Sequence, residues 1–160
     1  MANAAKMAPD WHTSEWLNTE QECVREALSG QVVVLEAFQM LCPACVQHSL
    51  PQARRLHQYY HQLGVQVIGL HSVFEHHAAQ SETALRAFVQ ENRLGFPIAV
   101  DAHAQQGELP LTMAAYSMQG TPTCVLIDRL GRRRAQHFGV VADLQLAAEI
   151  TSLLLENHSI

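Results

Sequence analysis

Val32-Val-Val-Leu-Glu-Ala-Phe38 passes through Gln39-Met-Leu into Cys42-Pro-Ala-Cys45, and the order of these pieces governs the reading of the chain. The first piece is a continuous apolar run carrying one acid. Its shortness and β-branching favour a buried central strand over a helix. Beyond Cys45 a helical pattern continues to about Leu63, with Val46, Leu50, Ala53, Tyr60 and Leu63 falling roughly on one face. Pro51 is expected to bend that helix, because it lacks an amide donor and crowds the preceding turn. The cysteine pair therefore stands where a strand gives way to a helix.

That placement has chemical consequences. A helix start carries unpaired amides and the positive end of the macrodipole, which favour negative charge. The thiolate is the attacking form of cysteine, so Cys42 is the candidate nucleophile. The two-residue spacing lets Cys45 reach Cys42 across one helical turn. Pro43 suits the first helical position, where its missing N–H is not needed. Cys42 would attack a disulfide, and Cys45 would then attack Cys42 to release the product. Glu36 shares a strand face with Val34 and Phe38. A carboxyl buried there has a raised pKa and could exchange the Cys45 proton; a paired or solvated strand carboxylate is the alternative.

Outward from this centre the chain alternates. Residues 1–18 read as irregular, with Trp11 and Trp16 as anchors. Thr19 and Glu22 form a capping-box pattern that opens a helix to about Leu28. Val65–Leu70 reads as a second buried strand. Ser81 or Thr83 caps a helix to Leu94, with Leu85, Phe88 and Val89 inward. Phe96–Val100 is a short strand, followed by a loop and a short helix near Thr112–Ser117. Cys124–Asp128 and about Arg133–Phe138 form a hairpin. A last helix spans about Asp143–Leu155 with Leu144, Ala148, Thr151 and Leu155 on one face. The order αβαβαβαββα predicts parallel strands with helical crossovers, closed by an antiparallel pair.

The bulk properties narrow the function classes. The 160 residues fit one domain spanning 1–160. A formal net charge of −5 gives no general attraction to nucleic acid or to anionic lipid. There is no run of apolar residues long enough to cross a membrane, and no signal peptide is visible. The chain is therefore expected to stay in the cytoplasm, where four cysteines point to redox or metal chemistry rather than to structural disulfides.

The C-P-A-C pair, Leu28–Phe38, Val67–Leu70, Phe96-Pro-Ile98 with Asp101, Gly120-Thr-Pro-Thr123, and Ile127-Asp128 with Gly131 resemble, in that order, the thioredoxin superfamily. The closest likeness is to its TlpA-like branch of thiol–disulfide oxidoreductases. The resemblance implies a thioredoxin-like three-layer α/β/α sandwich with a central mixed β-sheet and an inserted α/β segment over 72–100. It implies that Cys42 is the exposed nucleophile, Cys45 the buried resolving thiol and Glu36 the buried acid. Pro122 would be a cis-proline facing the disulfide, and Thr121 would offer backbone groups to an extended substrate. It implies no cofactor, and as partners a protein or small-molecule thiol or disulfide and an electron donor, in cell redox homeostasis. Leu41 stands where the family usually has an aromatic residue, and the branch is commonly exported.

Two other readings compete. A peroxiredoxin-like peroxidase shares the fold, but its P-x-x-x-T-x-x-C pattern would need Pro and Thr at Leu35 and Gln39 before Cys42, or at Phe38 and Cys42 before Cys45. A copper- or zinc-binding module would use Cys42 and Cys45 with His71, His76 or His77. His48 could tune the thiols. Cys124 reads as a small buried hydrophobe, with a third redox thiol near the active pair as the alternative, and Cys23, on a short helix with Ala27, reads as packing.

Overall fold

The computed structural model describes residues 5–104 and 109–157, so residues 1–4 of the N-terminal segment and part of the loop before the short helix lie outside the described residues. One six-stranded mixed sheet organises the molecule. Its strands are β1 (Thr13–Leu17), β2 (Val32–Phe38), β3 (Val65–His71), β4 (Ile98–Asp101), β5 (Thr123–Ile127) and β6 (Arg133–Phe138), in spatial order β1-β4-β3-β2-β5-β6. All seven residues of β2 are buried, as its apolar run requires. β2, β3 and β4 are parallel, while β5 and β6 run antiparallel. The helices are α1 (Leu50–Tyr60), α2 (Glu82–Glu91), α3 (Leu111–Ala115) and α4 (Asp143–Leu155).

Alternation along the strands divides the core between the two sheet faces. Val32, Val34 and Phe38 pack with Leu50, Ala53 and Leu56 of α1 and Leu146, Ile150 and Leu153 of α4. Val33, Leu35 and Ala37 pack on the other face with Met113 and Tyr116. At Gly69 a side chain would meet Phe38 and Phe96 at 3.2 Å, so glycine lets those rings close over the sheet without shifting. Asp101 ties α3 to β4 by accepting the amides of Thr112 and Met113 at 2.8 and 3.0 Å.

Several elements differ from the sequence expectation. Residues 13–17 are not irregular but pair antiparallel with β4, covering an edge that the parallel core leaves open. The helix expected from Thr19 is a single 3₁₀ turn, Arg25–Leu28. Thr19 Oγ1 is engaged locally with Gln21, and the segment is too short to stand as a helix alone. The helix after the cysteines begins with a π-helical turn, Cys45–Ser49, which absorbs the donor missing at Pro51 in the first turn of α1. On that helix Val46 and Leu63 are exposed, and Leu56 is buried instead. In α4 the buried face is Leu146, Ile150 and Leu153, while Leu144 and Leu155 face solvent. Gln52 and Arg55 hold Asp143, and Tyr60 donates to the Ala147 carbonyl, which sets the rotation of that helix.

Candidate active site

The strand-to-helix junction presents the two cysteines differently. Cys42 is half-buried and Cys45 is fully buried. Cys42 occupies the capping position, with helical backbone beginning at Pro43. Its carbonyl accepts the Val46 amide at 3.1 Å and its Sγ accepts the Cys45 amide at 3.3 Å. A sulfur that caps a helix in this way sits against the amides that stabilise negative charge. Both cysteines are free thiols here. Burial, reinforced by the hydrogen bond with Cys42, raises the Cys45 thiol far above the ordinary thiol range.

The loop before β5 closes on the same sulfur. The Thr121–Pro122 peptide bond is cis, and the Cys42 thiol donates to the Thr121 carbonyl at 3.5 Å. Gly139 holds the loop from behind, its amide donating to the Pro122 carbonyl at 2.8 Å. A buried amide chain that sequence reasoning missed sets the position of Thr121. Gln39 Nε2 donates to Thr121 Oγ1 at 3.3 Å, and Gln39 Oε1 accepts from Gln80 Nε2 at 3.1 Å. Gln80 Oε1 in turn accepts the Met40 amide at 2.9 Å. The signal available was a glutamine directly after an apolar strand, where a buried amide must find partners.

Glu36 is only 2 % exposed. Burial pushes its carboxyl up to about 8, against the opposing pull of hydrogen bonds from Cys124 and Ser49. Its Oε1 has no hydrogen-bond partner, a condition a neutral acid tolerates far better than a carboxylate. The thiol beside Glu36 is that of Cys124, its pairing partner on β5. Ser49, next to Glu36, donates its hydroxyl to the Cys45 backbone carbonyl at 3.4 Å. Cys124 is buried in the core, as its reading as a small hydrophobe requires. Burial, then the charge of Glu36, raises its thiol well above the ordinary range.

The histidines do not join this site as a group. His71 ends β3, buried against the Phe38 ring at 5.2 Å, and burial lowers it to about 4. His76 is exposed, and His77 lies against the His103 ring at 5.6 Å. His48 lies in the π-helical turn and is exposed. Among the described residues no three His, Cys, Asp or Glu side chains converge to hold a metal ion.

A cysteine pair at a strand-to-helix junction, under the loop before β5 and on a mixed sheet covered on both faces, defines a thioredoxin-like protein. The chain belongs to the AhpC/TSA family, whose model matches residues 4–141. It is similar to a thioredoxin-like superfamily protein, SPOA0173, at 46% identity and a TM-score of 0.93, over 97% of this chain and 100% of that one. A thiol-disulfide isomerase from Corynebacterium glutamicum is 46% identical with a TM-score of 0.89, over 94% and 98% of the two chains. The thiol-disulfide oxidoreductase ResA of Bacillus cereus is 30% identical over 105 residues, 66% of this chain. The chain spans about half the length of that relative, 53%.

Proposed function

We propose that the chain is a thiol–disulfide oxidoreductase that exchanges a Cys42–Cys45 dithiol and disulfide with protein or small-molecule substrates. The observation that carries this reading is the capping of the half-exposed Cys42 sulfur by the amide of the buried Cys45. Cys42 thiolate attacks a substrate disulfide, forms a mixed disulfide and expels one substrate thiolate. Cys45 then loses its proton and attacks the Cys42 sulfur, which expels the second thiolate and leaves the Cys42–Cys45 bond. Two electrons pass to the substrate, and an electron donor restores the dithiol. Glu36, once it has given up the proton it holds at rest, accepts the Cys45 proton, directly or through one water. Thr121 and Pro122 bind the substrate, with the Thr121 carbonyl, already 3.5 Å from Cys42 Sγ, aligned to pair with an extended segment. In a cytoplasmic setting the dithiol is the resting form and reduction is the favoured direction.

The test is trapping. Cys45→Ser incubated with a disulfide peptide should accumulate a mixed disulfide on Cys42, and Cys42→Ser should accumulate none. Mild oxidation of the native protein should join Cys42 to Cys45 in its peptide map. If the two remain unlinked and Cys42→Ser keeps full turnover, the reading is wrong. The peroxidase alternative meets Leu35 and Gln39 where its pattern needs Pro and Thr, and Gln39 is occupied by Thr121, Gln80 and the Phe74 amide. Rapid sulfenic acid formation at Cys42 with low peroxide would favour it instead.

A further inference from the structure

Glu36 heads a row of side chains whose other members the exchange chemistry leaves unused. Residues paired across neighbouring strands point to the same face of a sheet. Glu36 pairs with Cys124 on β5, and Cys124 pairs with His137 on β6. β6 is an edge strand, so the row runs from the sheet centre to its rim. α4 lies over this face, as the packing of Cys124 and Leu126 with Leu146, Ile150 and Leu153 shows. Exposure rises along the row. Glu36 and Cys124 are each 2 % exposed, and the His137 side chain is 25 % exposed. At the rim His137 Nε2 meets Glu149 Oε2 of α4 at 2.6 Å, and the Glu149 charge acts on Cys124. Towards β3 the row stops. Glu36 pairs there with Gly69, and Phe38, Phe96 and Ile98 fill the space above it.

Glu36 holds a proton at rest, so in every cycle it must give that proton up before it can take the one from Cys45. Glu36 has almost no contact with solvent, so another group must carry the proton. A thiol can donate and accept at once. We propose that Cys124 is the middle of a proton path joining Glu36 to the His137–Glu149 pair at the sheet rim. The path rests on the reading of Glu36 as acceptor of the Cys45 proton. In one passage the Glu36 O–H bond breaks and its proton forms a new S–H bond at Cys124. The original Cys124 S–H bond breaks in the same passage, and that proton bonds to a Glu149 oxygen or the His137 nitrogen. No electron changes hands, and Cys124 ends as the thiol it began as. Water at the rim then takes the proton. When the protein oxidises a dithiol the same path runs inward. Cys124 acts through Glu36 and does not touch the substrate.

The experiment is a single-turnover reaction of the reduced protein with 5,5′-dithiobis(2-nitrobenzoate), followed by stopped flow in light and heavy water. The first release of coloured thiolate reports Cys42, and the second reports attack by Cys45. Cys124→Val should slow the second release by about 100-fold, the lower end of what proton-transfer assistance contributes, and leave the first unchanged. Cys124→Ser keeps an exchangeable proton and should restore the native rate and solvent isotope effect, which a packing role would not do. The double variant His137→Gln with Glu149→Gln, at the half-buried rim, should also slow the second release, and it decides the matter if Cys124→Val does not fold. If Cys124→Ser is as slow as Cys124→Val, or if Cys124→Val and the rim variant both keep the native rate while Glu36→Gln is slow, the path is refuted and the role of Glu36 survives. If Glu36→Gln itself keeps the native rate, the proton role of Glu36 fails and the path falls with it.

Discussion

Glu36→Gln isolates the energetic cost of placing an acid under α1 and α4. Burial lifts the carboxyl from its ordinary 4.5 to about 8. Between those values the unfolded chain has released its proton while the folded chain still holds it. Stability therefore falls as pH rises through this window. The contribution is intact below about pH 4.5 and fully lost once pH exceeds about 8. At about 1.4 kcal/mol for each pH unit, the whole loss amounts to about 5 kcal/mol. Glutamine keeps the shape and removes the ionisation. Urea unfolding of the reduced protein from pH 5 to pH 9 should show native stability declining and the variant lacking that part of the decline. The two curves should converge or cross as pH rises, because glutamine leaves a buried amide to satisfy at every pH. Parallel curves across the window would refute the reasoning, since Glu36 would then be ionised in the folded protein at neutral pH.

His71 acts on the opposite limb. Burial lowers it to about 4 from an ordinary 6.5, so the unfolded chain binds a proton that the folded chain refuses, and stability falls as pH drops between those values. The loss reaches about 3 kcal/mol, and His71→Leu should flatten that limb in acid unfolding measurements. Gln80→Ala leaves the Met40 amide and Gln39 without their buried partner. It should cost about 2 kcal/mol of stability, and by loosening Gln39 it should raise KM for a peptide disulfide more than it lowers kcat. An unchanged KM would show that Thr121 is held without the amide chain.

Local chemistry made much of this molecule legible. The β-branched runs at Val32–Phe38 and Val65–Leu70 form central strands because each buries both faces, which a short apolar run achieves only inside a sheet. Ser81 caps α2 as read, accepting the Ala84 amide at 3.2 Å. Gly64 ends the helical region in a left-handed conformation, φ 89°. The reading failed where a segment had two local solutions. α4 carries leucines on several sides, so its periodicity did not single out the buried one. Asp143 and Ala147, bound by residues of α1, did. Thr13–Leu17 is too short and polar to announce a strand, and it becomes one because β4 offers unpaired backbone.

The sequence alone determined the strand-to-helix placement of Cys42 and Cys45, because spacing along one helical turn is a local property. It also determined that Glu36 would lie in an apolar strand, because alternation is local too. Only the tertiary structure decided which thiol stands beside that acid, which amides hold Thr121, and where the row from Glu36 meets solvent. Each of those depends on the register between strands far apart in sequence, and register is settled by the packing of whole faces rather than by any single residue.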